Sequence, residues 1–361
     1  MTEAFADPAA AAALLGRIRR HVDEGGPAGV MEVCGTHTVN IFRSGVREML
    51  RGLVEIISGP GCPVCVTPTG HIDAAVELVR SGRVTLATFG DMVRVPGSRG
   101  SLADARSGGA DVRVVYSPLD ALRIAEDIAP RPVVFLAVGF ETTQPAVAAS
   151  LARAKSGKLD NFTIFPVHRL IPPALSALLS SDELSVDGLM LPGHVSVVIG
   201  CGAYEPVLTR RGVPGVVAGF EPLDILGALE MLLRMRSRGE VGVRNGYKRA
   251  VTDEGNEAAR RAIDEVFEPA DAVWRGLGAI PASGLRLRSA YSDFDAGRVH
   301  GISVRDVPDP PGCRCGDVLR GALPPPECGL FGVSCTPESP VGPCMVSSEG
   351  SCAAYYHWGM R

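Results

Sequence analysis

The chain has 361 residues, a formal net charge of -4, 46% apolar residues and 21% charged residues. That length suits two or three domains with a well-buried core. The mixed charge offers no basic stripe for nucleic acid, and the absence of any run of about 18 uncharged apolar residues argues against a membrane span.

The first 26 residues, MTEAFADPAAAAALLGRIRRHVDEGG, read as one amphipathic helix. Their early acidic residues and lack of a basic n-region argue against a secretory leader, so a cytoplasmic location is expected. In that compartment ten cysteines are more often metal ligands or redox groups than structural disulfides.

From residue 28 short apolar runs alternate with helical segments. AGVMEV, LVEIIS, RVTLATF and VRVVY read as buried strands ending in Gly, Cys or Ser. HIDAAVELVRSG reads as a helix with Ile72, Ala75, Val76 and Val79 on one face. Thr67 or Thr69 is its candidate cap and Gly82 its stop. The alternation continues through VVFLAVG, FTIFPV, DGLMLPG and GVVAGF, with helices at 143–156, 171–180 and 222–237. Repeated strand–helix units make an α/β fold with parallel sheets covered by helices.

A short echo marks two strand-to-helix junctions, Gly139-Phe140-Glu141 and Gly219-Phe220-Glu221. In open parallel sheets ligands bind beyond the carboxyl ends of strands, so the echo points to loops lining one cleft. Segment 241–300 reads as a helix at 253–267, then irregular chain, a link returning to the first sheet. After about residue 268 the chain is rich in Pro, Gly and Cys. PDPPGC and LPPPEC suit neither helix nor central strand, so this tail needs rigidity from elsewhere, such as a metal cluster.

Four constellations carry chemistry. The first is Cys328-x6-Cys335-x8-Cys344-x7-Cys352. Four thiolates with intervening Gly and Pro suit a cubane, which takes one cysteine per iron. Zinc also accepts four thiolates, but its structural sites usually show close C-x2–4-C pairs. Cys313 and Cys315 are two spare thiols that replace one ligand or serve as a disulfide or resolving pair. The second is the C-x-x-C of GPGCPVCVTPTG, Cys62 and Cys65, between a strand and a helix. Such a loop closes a disulfide reversibly and stores two electrons; half of a zinc site is the other reading. The third is MEVCGTHT. Cys34 lies at a strand's carboxyl end, and His37 is near enough to be base, hydrogen-bond partner or second ligand. The fourth is LPGHVSVVIG, with His194 at another carboxyl end. Asp91 in TFGDMVRVPG sits at a comparable junction, where acids more often cap helices. His168 reads as a packed loop histidine and Cys201 as core. No G-x-G-x-x-G or Walker-type loop occurs, so no nucleotide cofactor is indicated.

The stretches MEVCGTHT, SGPGCPVCVTP, TFGDMVRVPG, LPGHVS and FGVSCTPESPVGPCMVSSEGSCAAYY resemble the HypD family of [NiFe]-hydrogenase maturation proteins. They span residues 31 to 356. The resemblance implies two similar parallel-sheet α/β domains around a central cleft, plus a C-terminal irregular or helical domain holding a [4Fe-4S] cluster. The chain then divides into 28–117, 118–240, and a third domain of 1–27 with 241–361. The resemblance also implies a HypC-type small chaperone and a HypE-type cyanide donor as partners. Cys34 would help hold Fe(II) that receives cyanide and carbon monoxide. Cys62 and Cys65 would form an exchangeable disulfide. His37, Asp91, His194 and Glu349 would line the cleft, and Cys328, Cys335, Cys344 and Cys352 would ligate the cluster. Two other readings compete: a stand-alone iron–sulfur thiol–disulfide oxidoreductase resembling ferredoxin:thioredoxin reductase, and a zinc-stabilised binding module.

Overall fold

The computed structural model describes residues 7–181 and 184–359. In chain order its strands are β1 (Ala28–Glu32), β2 (Val54–Ser58), β3 (Thr85–Thr88), β4 (Val112–Val114), β5 (Val133–Gly139) and β6 (Phe162–His168). They continue with β7 (Gly188–Pro192), β8 (Pro214–Ala218), β9 (Gly242–Asn245), β10 (Phe267–Trp274) and β11 (Gly278–Leu287).

Two parallel sheets form the scaffold, one ordered β2-β1-β7-β8-β9 and the other β4-β3-β5-β6. In the first, Met31 of β1 pairs with Ile57 of β2 and Leu189 of β7. In the second, Phe135 of β5 pairs with Ala87 of β3 and Ile164 of β6. Every residue of β5 is buried, which is why VVFLAVG reads as one apolar run rather than an alternation. The α/β class expected from the sequence is the class observed.

Alternate residues of each strand feed different cores. Val133 and Phe135 of β5 pack with Leu151, Phe162 and Phe267. Val134 and Leu136 face the other way, into a core shared with Met31 and Leu189 of the first sheet and with Cys315, Cys344 and Cys352 of the tail. The second sheet, the first sheet and the tail therefore close on one another.

The chain does not divide at residues 117 and 118. It leaves the first sheet after β2, builds the whole second sheet with β3 to β6, and returns at β7. Hydrophobic patterning locates strands but not their pairing partners, so a contiguous division was the wrong default. Residues 1–27 also belong elsewhere than with the tail. The helix Pro8–Gly25, capped by Asp7, sends Ile18 and Val22 into a core with Val30, Met190 and Leu229. Each such fully buried aliphatic side chain contributes about 1.5–3 kcal/mol, which ties this helix to the first sheet.

The link 241–300 is more ordered than expected. Its first residues form β9, the edge of the first sheet. The helix Glu257–Val266 follows, close to the expected span. Then β10 and β11 form an antiparallel hairpin where irregular chain was expected. The run FEPADAVW has Pro, Glu and Asp and weak strand propensity. It pairs because Gly276 and Gly278, both at positive φ, turn the chain back on itself. The hairpin docks on the second sheet rather than the first, through an isolated bridge between Arg169 and Gly284. Neither Thr67 nor Thr69 caps the helix Thr69–Arg80; Pro68 occupies that position, and the chain turns after Ser81 at Gly82.

Candidate functional site

Loops from both sheets meet at a cavity of about 490 Å³. Val33, Cys34 and Thr36 enter from the end of β1, and Gly61 and Pro63 from the loop after β2. Pro192 and His194 come from the end of β7, Phe140 and Thr142 from the end of β5, and Glu349 from the tail. All four strand-borne groups lie at carboxyl ends, where parallel sheets leave backbone groups and side chains free for ligands.

Cys34 is the residue before the helix Gly35–Arg43. Burial, the Glu349 carboxylate and Glu32 push its thiol up to about 12, although the His37 and Thr36 amides oppose the shift. At rest it therefore keeps its proton at neutral pH. Glu32, which sequence reasoning passed over, lies at the end of β1 and is 1% exposed. Its Oε2 accepts from the Cys34 amide at 3.1 Å, and its Oε1 accepts from the Thr38 hydroxyl. Burial holds this carboxyl at about 8 despite those bonds. The readable signal was an acid in an otherwise apolar inner strand, AGVMEV. Glu141 carries the same signal after VVFLAVGF. It is buried, accepts from the Ile171 amide at 2.9 Å and is raised to about 7 by desolvation.

His37 does not line the cavity. It is fully buried, and its Nε2 donates to the Gly219 carbonyl at 2.9 Å. Burial lowers it to about 4, so it is a neutral ring that ties the β1 helix to the loop after β8. The partner of its ring is the Gly219 carbonyl rather than Cys34. His37 and the solvent-facing His194 both stack on Phe220, with centroids 4.8 and 3.9 Å away. Phe220 is thus the support of the His194 ring. Its counterpart in the sequence echo, Phe140, lines the cavity directly. The two junctions do serve one cleft, one at its wall and one beneath it. His168 is buried with neither ring nitrogen partnered, and Cys201 is 2% exposed.

Cys62 and Cys65 are joined in a disulfide, and both are buried, at 3% and 0% exposure. The loop that carries them reaches the cavity through Gly61 and Pro63, while the sulfurs lie behind. Gly61 is held against Cys34: its carbonyl accepts from the Gly35 amide at 3.0 Å. A Cβ at Gly61 would come within 2.2 Å of the Cys34 nitrogen. Only glycine permits that approach.

Asp91 lies outside the cavity and holds one of its walls. Its Oδ2 accepts from the Ser347 hydroxyl at 3.1 Å and from the Ser348 amide and hydroxyl at 2.9 and 3.0 Å. That fixes the segment just before Glu349. Glu349 then accepts from Thr36 at 2.6 Å and adds its charge beside Cys34 and His194.

Three residues beyond Glu349 the chain enters a second, smaller cavity. Cys313, Cys315, Cys328, Cys335, Cys344 and Cys352 all line it, with Leu330, Phe331 and Met345. Cys313, Cys315, Cys344 and Cys352 are hydrogen-bonded in series. All four thiols are raised: Cys313 first by its bond to Cys315, Cys315 and Cys344 by one bond and burial against an opposing bond, and Cys352 by burial against its bond to Cys344. No three His, Cys, Asp or Glu side chains among the described residues surround a single ion position. The donor set nonetheless fits a soft polynuclear centre: only sulfur, in a nearly apolar chamber, with enough thiols for one per iron. The four expected ligands all reach the chamber, and so do the two spare thiols. Cys315 is more deeply buried than Cys328 and touches Cys344 directly.

The family model HypD, described as "Hydrogenase formation hypA family", matches residues 9–359. The chain is 47% identical over 364 residues to hydrogenase maturation factor HypD of Azotobacter vinelandii, covering 99% of this chain and 96% of that protein. It is 45% identical over 365 residues to HypD of Rhodobacter capsulatus, covering 98% and 97%. With HypD of Escherichia coli (strain K12) it shares 46% over 333 residues, covering 92% and 89%. Among the described residues no helix is long and apolar enough to cross a membrane. The strand-end cysteine, the neighbouring disulfide loop and the sulfur-lined tail are held on a chain that belongs to the HypD family of hydrogenase maturation factors.

Proposed function

We propose that this protein is a scaffold on which iron acquires cyanide and carbon monoxide before insertion into a [NiFe] hydrogenase. One observation carries the reading. Cys34, His194, Glu349 and the Cys62–Cys65 loop meet at a single cavity, and the segment bearing Glu349 leads directly into the six-thiol chamber.

The iron is cargo. Cys34 offers it a soft thiolate ligand, and binding displaces the proton that burial otherwise keeps on sulfur. A HypC-type chaperone supplies a second thiolate, and a HypE-type partner delivers cyanide. His194 is exposed and lines the cavity, so its imidazole would face the incoming group, while Glu349 gives the site a carboxylate.

The chamber residues Cys328, Cys335, Cys344 and Cys352 would hold a [4Fe-4S] cluster, which supplies one-electron transfer when bound. Opening the Cys62–Cys65 bond takes two electrons and two protons and yields two thiols. The electrons come from an external low-potential one-electron carrier. A stand-alone disulfide reductase is the weaker reading. Such an enzyme presents its sulfurs to a partner, whereas here both are buried and Cys34 is the thiol on the cavity.

Infrared spectroscopy of protein purified anaerobically with the small chaperone tests this. Wild-type complex is expected to show cyanide and carbonyl stretches. Cys34→Ala is expected to lose them while keeping cluster and disulfide. A Cys34→Ala complex with full band intensity removes Cys34 from the role. A colourless wild-type protein with stoichiometric zinc removes the cluster.

A further inference from the structure

Arg275 is 3% exposed, in the turn between β10 and β11. Its backbone amide donates to the Val66 carbonyl at 2.8 Å. Its Nε donates to the Thr67 carbonyl at 3.1 Å and its Nη2 to the Thr69 hydroxyl at 3.1 Å. The segment just after Cys65 is thus clamped by one residue. Nη1 donates to Asp309.

The other side of the same turn abuts the thiol chamber. A Cβ at Gly276 would lie 2.5 Å from the Gly316 Cα, and Gly316 directly follows Cys315. Arg320, just past the helix Cys315–Leu319, donates to the Gly276 carbonyl at 2.7 Å. Arg275 is the residue next to Gly276, so its buried charge sits one residue from the wall that carries Cys315. Its counter-ion is placed asymmetrically: the Arg275 side chain is 1% exposed, but that of Asp309 is 34% exposed. Solvent screens the carboxylate more than the cation, so the chamber feels net positive charge. Arg314, also at the chamber, pairs with Asp317 and is half exposed.

We infer that Arg275 sets the reduction potential of the centre held in the thiol chamber, its buried charge stabilising the reduced state. This rests on reading the chamber as an iron–sulfur site. A metal–thiolate centre gains one negative charge on one-electron reduction, and local charge is one determinant of its potential. Arg275 is a positioning residue, since it holds the segment just after Cys65, and its neighbour Gly276 packs on Gly316 beside the chamber.

The test is an anaerobic redox titration with dithionite, followed by electron paramagnetic resonance, on reconstituted wild type, Arg275→Gln, Arg275→Lys and Asp309→Asn. Arg275→Gln is expected to lower the reduction constant about tenfold, a negative shift of about 59 mV for one electron. Arg275→Lys keeps the charge and is expected to stay near wild type. Asp309→Asn removes the counter-ion and is expected to shift the potential positive. Mere loosening moves both Arg275 variants alike and gives no reversal of sign. Equal shifts in Arg275→Gln and Arg275→Lys, or none in Arg275→Gln, overturn the inference. Should Arg275→Gln not fold, an unchanged or negative potential in Asp309→Asn does so. Wild type that takes up no iron–sulfur centre overturns the reading of the chamber itself, and this role with it.

Discussion

The Glu349 carboxylate accepts a 2.6 Å hydrogen bond from the Thr36 hydroxyl, across 313 positions of chain. This bond stitches the cysteine-rich tail to the helix that begins beside Cys34. It also places a negative charge where it opposes ionisation of that thiol.

Glu349→Gln keeps an acceptor for Thr36 and removes the charge. The Cys34 thiol is then expected to ionise more readily, because the carboxylate is one cause of its elevation. Peptide mapping of metal-free protein after iodoacetamide at pH 8 should show several-fold faster labelling of Cys34 in the variant. Equal labelling would mean that the Glu349 charge does not control the thiol.

Glu32 gives stability a pH dependence. Its carboxyl moves from an ordinary value of 4.5 to about 8 on folding, and Glu141 moves to about 7. Between pH 6.5 and 8 the unfolded chain has lost the Glu32 proton while the folded protein keeps it, so stability falls as pH rises. His37, His71 and His168 are lowered to about 4, 3 and 3, and act with the opposite sign below pH 6.5. Across the upper window Glu32 alone accounts for about 2 kcal/mol, at about 1.4 kcal/mol per unit. Urea unfolding of metal-free wild type should show that decline, and Glu32→Gln should flatten it. Parallel declines would place the proton elsewhere.

Asp91→Ala removes the acceptor for Ser347 and Ser348. Bonds to a charged group contribute about 1.5–3 kcal/mol each, less where solvent reaches them. Hydrogen–deuterium exchange should accelerate at residues 347–350 and leave β5 unchanged. Unaltered exchange would show that the segment is fixed by its other contacts.

Gly61→Ala forces a methyl group into the Cys34 backbone. Overpacking of this kind costs about 1–3 kcal/mol. The urea midpoint should fall, and the Cys62–Cys65 disulfide, shielded in wild type, should be reduced faster by a water-soluble phosphine. A silent substitution would mean that the loop can move away from Cys34 freely.

Serine substitution of Cys344 or Cys352 should abolish iron and sulfide uptake on anaerobic reconstitution, since both sulfurs are buried in the chamber. The resemblance expects Cys328→Ser to be more damaging than Cys315→Ser. The reverse order would place Cys315 in the ligand set. In protein reconstituted with iron and sulfide, chelation should lower the melting temperature of the tail while the circular dichroism of the two sheets persists.

Much of this was legible along the chain. Cys34, Cys62, Cys65 and His194 stand at strand ends whose character follows from local apolar runs and the glycines and prolines after them. The tail's composition announced a need for cross-linking. Those are short-range properties, set by steric preference, hydrophobic period and donor chemistry. The tertiary structure alone decided that the chain builds its second sheet in the middle of its first. It alone withdrew His37 into the core, turned Asp91 toward Ser348, and brought Cys313 and Cys315 to the same chamber as the other four thiols. Each of these depends on contacts between residues far apart in sequence, whose burial and pairing are settled by competition among whole packed surfaces. No window of neighbouring residues contains that competition.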